Sequence, residues 1–407
     1  MDKNRSIMRS QKLDQVEYAI RGPLVEEAAR MELQGHEILK LNIGNPPQFG
    51  VNPPEEVMHD LIYNLRISQG YSESKGIFSA RKAIFQYYQL KSFRNISIDD
   101  IFVGNGVSEM IISCMQALLN DGDEMLVPAP DYPLWTAAVN LAGGKAVHYL
   151  CDEQADWAPD IGDMRSKITG RTRGIVVINP NNPTGAVYSK EILQQIVALA
   201  REHGLIIFAD EIYERLVMDD YQHVNIASLA PDLPVVTLNG LSKSHRVTGL
   251  RAGWAVFSGD KNRIRDYIEG LNVLASMRLC ANVPAQSIIQ TSLGGYQSVD
   301  ELVLPGGRIY EQRNAIYRGL NAIPGVTVMR PRAGLYIFPR LDPDMYHIVD
   351  DHKFAMDLLL KEKVLIVPGN GFNWPKPGYF RIVFLAAVKD LDKASARIRH
   401  FLEDYRQ

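Results

Sequence analysis

Through the middle of the chain, short apolar runs alternate with longer stretches of helical period. The runs at 101–103, 124–127, 145–150, 174–178, 205–209 and 235–238 read as strands. Several are apolar from end to end, the pattern of strands covered on both faces. Between them, 107–119, 132–141 and 190–203 carry helical spacing. The last of these has Ser189 at its N-cap position and Gly204 at its C-cap position. Alternation of this kind predicts an α/β fold, with a mostly parallel central sheet sandwiched by helices and right-handed crossovers.

The pattern changes near residue 300. Strand-like runs at 326–329, 335–338, 364–367 and 379–384, with helices near 352–362 and 389–405, predict a smaller α+β domain. The N-terminal stretch contains one capped helix, 23–34, ending at Gly35. Three regions follow: an N-terminal segment (1–50) packing with the small domain, a large domain (51–300) and a small C-terminal domain (301–407).

A length of 407 residues agrees with more than one core. Lys plus Arg is 44 against 47 for Asp plus Glu, so no basic excess points to nucleic acid. Any site for an anionic substrate must therefore be built locally. The three cysteines, Cys114, Cys151 and Cys280, form no CxxC pair, and neither a metal site nor a disulfide framework is expected. The polar N-terminus and the lack of an apolar run of ~18 residues predict a cytoplasmic protein without a membrane partner.

Open parallel sheets bind ligands outside the carboxyl ends of their strands, and the distinctive polar residues collect there. Asp210 directly follows the run 205–209. It is either a helix N-cap or the counter-ion of a protonated pyridine nitrogen, which keeps such a ring electron-withdrawing. Lys243 follows 235–238 in Asn239-Gly240-Leu241-Ser242-Lys243, with Arg246 and Arg251 close behind. It is either a solvated surface charge or an amine that forms Schiff bases, since neighbouring cations and partial burial favour the neutral form. Ser242 and Arg251 suit a phosphate.

Asn179-Pro180-Asn181-Asn182-Pro183-Thr184-Gly185 is a turn stiff enough to aim the Asn182 amide, with a cis bond open to either proline. Gly104-Asn105-Gly106-Val107-Ser108-Glu109 lacks the third glycine of a dinucleotide loop, yet it opens a helix whose first N–H groups suit a phosphate. Tyr132, after a strand, either stacks on a flat ring or fills the core.

Taken in order, Asn182, Asp210, Tyr213, Ser242-Lys243 and Arg251 resemble the class I/II aminotransferases, pyridoxal 5′-phosphate (PLP) enzymes of fold type I. The resemblance covers nearly the whole chain. It implies that Lys243 bonds the cofactor and shuttles the substrate proton, and that Asp210 pairs with the pyridine nitrogen. Asn182 and Tyr213 would meet the ring's phenolic oxygen. Val107, Ser108, Ser242 and Arg251 would hold the phosphate, and Tyr132 would stack. Arg381, in Tyr379-Phe380-Arg381-Ile382, matches the arginine that grips the α-carboxylate. Gly44, in Asn42-Ile43-Gly44-Asn45-Pro46, matches a glycine of the substrate region, which Asn182 also borders. Tyr71 matches a tyrosine that completes the neighbouring site of a homodimer.

Within the family, Ile20-Arg21-Gly22-Pro23, Asp131-Tyr132-Pro133-Leu134-Trp135-Thr136 and Met277-Arg278-Leu279-Cys280-Ala281-Asn282 resemble bacterial alanine transaminases. That implies transfer between L-alanine and 2-oxoglutarate, with Arg21 or Arg278 receiving glutamate's distal carboxylate. Other amino donors (aspartate, valine, aromatic) and a carbon–sulfur β-lyase on the same scaffold are the alternatives. The run Ser242-Lys243-Ser244-His245-Arg246 departs from the Ser-Lys-Thr-Tyr-Arg of those relatives. His245 either alters the pocket or is a satisfied residue behind it.

Overall fold

A computed structural model of the chain describes residues 7–16 and 22–407; Arg21 lies outside the described residues. The helix Pro23–Leu33 leads into a two-residue strand, β1 (Leu39–Lys40). The central sheet follows, built from β2 (Ile101–Asn105), β3 (Glu124–Ala129), β4 (Lys145–Asp152), β5 (Ala158–Pro159), β6 (Thr172–Ile178), β7 (Ile206–Asp210), β8 (Val235–Gly240) and β9 (Ala252–Ser258). Their order is β2-β9-β8-β7-β6-β3-β4-β5. The core from β4 to β8 is parallel. Only β9, between β2 and β8, and the edge piece β5 run antiparallel.

This is the mostly parallel α/β architecture that the alternation predicts, with two strands added, the edge piece β5 and the internal β9. β9 is wholly buried.

The apolar runs are explained by what lies on each face. In β7, Ile207 and Ala209 enter one core, while Ile206 and Phe208 enter the other. In β6, Ile175 and Val177 divide from Val176 and Ile178 in the same way. Side chains alternate across a strand, so a sheet covered on both sides needs apolar residues at every position. The helix Lys190–His203 covers the first face with Leu193, Ile196 and Ala200. The helices Val107–Leu118 and Arg265–Met277 cover the second, through Ile111, Met115 and Leu271. Ser189 Oγ caps the Ile192 N–H, and Gly204 ends that helix at φ 67°.

The smaller α+β part holds β10 (Val326–Thr327), β11 (Tyr336–Ile337), β12 (Arg340–Leu341), β13 (Val364–Leu365), β14 (Val367–Pro368) and β15 (Phe380–Val383). β15 lies between β11 and β14, antiparallel to both. The apolar run at 364–367 divides, because β13 pairs with β1 while β14 pairs with β15. Leu24, Ala28, Met31 and Leu39 share one core with Ile316, Leu358, Ile382 and Ile398.

The helix Arg308–Asn321 has no clean apolar stripe, because Gln312 and Arg313 lie on its buried side. Both have fold-dependent partners: Arg313 pairs with Asp219 at 2.8 Å, and Gln312 Nε2 donates to the carbonyls of Leu385 and Ala386. The helix at 132–141 begins later, at Leu134, since Pro133 holds the preceding residue out of helical geometry.

Candidate active site

A cavity of about 580 Å³ opens beyond the carboxyl ends of the parallel strands. Gly44, Val107, Ser108, Tyr132, Asn182, Asp210, Tyr213, Ser242, Lys243, Arg251 and Arg381 all line it. Residues that the sequence spreads over more than three hundred positions therefore meet in one place.

One end is built for an anion. Val107 and Ser108 open the helix Val107–Leu118, whose first N–H groups face the cavity with no intrahelical acceptor. Arg251 lies opposite, with Nη1 donating to the Thr248 carbonyl at 2.9 Å and standing 3.5 Å from Ser242 Oγ. Gly106, at φ 84°, is required here, because a Cβ at that position would collide with the Arg251 guanidinium.

The floor carries Asp210. Its carboxylate receives Trp135 Nε1–H at 3.0 Å and the Ile212 N–H at 3.4 Å, both neutral donors. Burial pushes its pKa up to about 6, only partly opposed by those hydrogen bonds. A buried carboxylate facing a cavity with neutral partners is the feature a ring cation would satisfy.

Lys243 projects from the short helix Leu241–Ser244 that follows β8, and Nζ donates to the Gly44 carbonyl at 2.6 Å. Its strand is held from behind by Asn239, whose Nδ2 donates to Glu214 Oε1 at 2.7 Å. Glu211, Glu214 and His223 bring potential metal-ligand atoms within 4.8 Å of one another there. The Lys91 ammonium, 2.5 Å from Glu214, already supplies that cluster with a cation.

Arg381, on β15, is buried. Nη1 donates to Asn182 Oδ1 at 3.0 Å and Nη2 to the Asn42 carbonyl at 2.6 Å. Its guanidinium stacks against the rings of Tyr336 and Phe372, at 4.4 and 4.7 Å. This clamp orients a fork suited to a carboxylate. The bonds before Pro180 and Pro183, in the turn carrying Asn182, are both cis.

Other candidates lie elsewhere. Arg278 does not line the cavity; it pairs with Glu109 at 2.6 Å and donates to the Ser74 carbonyl at 2.7 Å. Tyr71 is 82% exposed and also stands outside. His245 points away from the cavity, its Nε2 meeting the Ser292 carbonyl at 2.8 Å and its Nδ1 the Ser244 hydroxyl at 2.9 Å. Burial pushes its pKa down to about 4, so it is neutral and satisfied behind the lysine turn.

Of the cavity residues that the sequence did not single out, which include Thr248 and Gly249, Tyr336 bears most on the chemistry. It sits on β11, inside the predicted run 335–338, where an aromatic residue reads as core, and only its side-chain position marks it.

The donor set suits PLP: an anion cradle at one end, a buried carboxylate below, an amine above and an aromatic wall at Tyr132. Comparison with known proteins agrees. The model of the family "Aminotransferase class I and II" matches residues 36–398. The chain is 59% identical over 401 residues to the glutamate-pyruvate aminotransferase AlaA of Escherichia coli, covering 98% of this chain and 99% of that protein. It is 54% identical over 406 residues to an alanine aminotransferase of Mycobacterium bovis, covering 100% and 95%. The crystal structure of an aminotransferase from Escherichia coli superposes with a TM-score of 0.98 at 59% identity, covering 99% of this chain and all of that one. With site and comparisons in accord, the chain belongs to the class I and II aminotransferases, PLP-dependent enzymes that pass an amino group between amino acids and 2-oxo acids.

Proposed function

We propose that this enzyme transfers the amino group of L-alanine to 2-oxoglutarate, giving pyruvate and L-glutamate by a ping-pong mechanism, as a cytoplasmic homodimer. The observation that carries the reaction type is the meeting of Lys243, Asp210 and Arg381 around one cavity. The similarity to enzymes named glutamate-pyruvate and alanine aminotransferase supports the substrates.

On this reading Val107, Ser108, Ser242 and Arg251 hold the cofactor's phosphate, and Tyr132 stacks on its ring. Asn182 and Tyr213 donate to the phenolic oxygen. Asp210 holds the pyridine nitrogen in its protonated form. PLP supplies an aldehyde carbon that bonds amines and a cationic ring that draws electrons from the substrate α-carbon. Arg381 and the Gly44 backbone orient the substrate carboxylate. Nζ of Lys243 first anchors the cofactor and, once displaced, takes the proton from the α-carbon.

Tyr71 would complete the site of a second subunit. Arg278 ties the Ser74 backbone to the end of the helix Arg265–Met277, and Tyr71, Met277 and Leu279 on these segments are exposed. Exposed side chains of this kind fit burial against a second copy of the chain.

The absorption spectrum of the holoenzyme tests the reaction. L-Alanine alone is expected to remove the visible band and 2-oxoglutarate to restore it. A band that alanine leaves untouched but another amino acid shifts would overturn the donor.

For the distal carboxylate of glutamate we propose Arg21 or Arg278. Neutralising the responsible arginine should raise KM for glutamate by about 10-fold or more and change that for alanine little, as expected for one lost charged hydrogen bond. Equal effects on both substrates would remove that arginine from the role. The Glu109 pair already engages Arg278, so Arg278→Gln must be read beside Glu109→Gln.

A further inference from the structure

Two phenols meet inside the cavity. Tyr213 and Tyr336 place their hydroxyl oxygens 2.7 Å apart, with ring centroids at 5.6 Å and planes at 81°. Both are buried. Tyr336 stands on β11, directly beside β15, which carries Arg381; its ring supports that guanidinium at 4.4 Å. Its hydroxyl also presses on the Gly44 backbone, where a Cβ would come within 2.5 Å of the oxygen. Glycine at 44 thus admits the Tyr336 phenol, while the Gly44 carbonyl receives Lys243 Nζ.

A hydroxyl pair at this distance can share its hydrogen in either direction, and the surrounding charges decide which. Burial alone would raise the pKa of Tyr336, but the adjacent Lys243 ammonium and Arg381 guanidinium outweigh it and hold the phenol below its ordinary value. For Tyr213 burial dominates, reinforced by Tyr336, and its pKa is raised. The more acidic phenol is the better donor, and the Arg381 guanidinium stays against the Tyr336 ring at 4.4 Å when Lys243 anchors the cofactor, so the direction from Tyr336 O–H to Tyr213 Oη is the favoured one. The proton of Tyr213 is then left for an acceptor in the cavity. Hydrogen bonds in such a chain polarise one another, so the first strengthens the second.

We propose that Tyr336 is a positioning residue for transamination: its hydroxyl donates to Tyr213, aims the Tyr213 proton into the cavity and so tunes the proton affinity of the bound cofactor. This rests on the reading above in which Tyr213 meets the cofactor's phenolic oxygen. A stronger donor to that oxygen stabilises its anionic form and weakens its hold on the neighbouring nitrogen's proton.

The test is the pH midpoint at which the resting holoenzyme's visible band changes, measured without substrate. Tyr336→Phe removes one oxygen and keeps the ring against Arg381. It is expected to raise the midpoint by about half a unit to one unit, the size of one hydrogen bond. Tyr213→Phe should raise it further, and the double variant should match Tyr213→Phe alone, because the two act in series. If Tyr213→Phe shifts the midpoint and Tyr336→Phe does not, the relay is wrong. Fully additive shifts in the double variant would also overturn it, since Tyr336 would then act independently of Tyr213. If neither substitution moves the midpoint, the placement of Tyr213 at the cofactor fails, and the relay with it.

Discussion

Replacing Lys243 with alanine is expected to lower kcat/KM for transamination by at least ~10⁴-fold while leaving the fold intact. Lys243 is the single lysine lining the cavity among the described residues, so no second amine stands ready to substitute. It has two tasks on the proposed mechanism, anchoring the cofactor and moving the α-proton. Positioned acid–base groups contribute roughly 10²–10⁴-fold, and loss of the covalent anchor adds to that. The lost contacts are those to the Gly44 carbonyl and the Tyr336 hydroxyl at the cavity wall, so the structural cost is small. The phosphate cradle at Val107, Ser108 and Arg251 is untouched, and the variant should still retain PLP, with an altered spectrum. Steady-state turnover beside far-ultraviolet circular dichroism would check both halves. Activity within ten-fold of the parent would show that another group moves the proton.

The parallel core was legible because its physics is local. A strand stretch covered on both faces must be apolar at every position, and residues 174–178 of β6 and 206–209 of β7 are. The helix between them is punctuated by Ser189 and Gly204, which do at the ends what their chemistry requires. β9 was not legible. It begins with small Ala252 and Gly253, follows directly on the lysine loop, and owes its place to partners far away in sequence. In the smaller part, the strand-like run at 335–338 was legible, but nothing in it marked Tyr336 as facing the cavity rather than the core. The helix Arg308–Asn321 was masked by buried polar residues whose partners only the fold brings near.

The site divides in the same way. Asp210, Asn182 and Lys243 could be found from their positions after apolar strands, together with the ordered resemblance to a family. Arg381 came from the resemblance alone, because no local pattern separates a substrate clamp from a surface arginine. Burial, the stacked rings of Tyr336 and Phe372, and the bond to Asn182 now supply the physical reason. The unusual His245 shows the reverse: conspicuous in sequence, it is turned away from the chemistry and bonded to Ser244 and Ser292.

Asp210→Asn should separate function from stability. With the cofactor bound, the proposed partner of the pyridine nitrogen is lost, and kcat should fall by about 10²–10³-fold, the usual size for one preorganised electrostatic group. Without the cofactor the same change should stabilise the protein at neutral pH. The folded-state pKa of Asp210 is raised from 3.8 to about 6, chiefly by burial. A carboxyl raised in this way contributes its stability below its unfolded pKa and loses it as pH rises through the folded value. Above pH ~6 the cofactor-free parent therefore carries a buried charge costing about 1–3 kcal/mol, which asparagine does not. Asparagine can still accept from Trp135 Nε1, so the local geometry has a donor–acceptor match. Urea denaturation of the cofactor-free proteins should show the variant more stable at pH 8 and the difference shrinking toward pH 4. Adding PLP should then stabilise the parent more than the variant, because only the parent offers an anion to the ring. A parent more stable than the variant at pH 8 without cofactor would mean that the carboxylate is already neutralised inside the protein, and its assignment as the ring's counter-ion would fall.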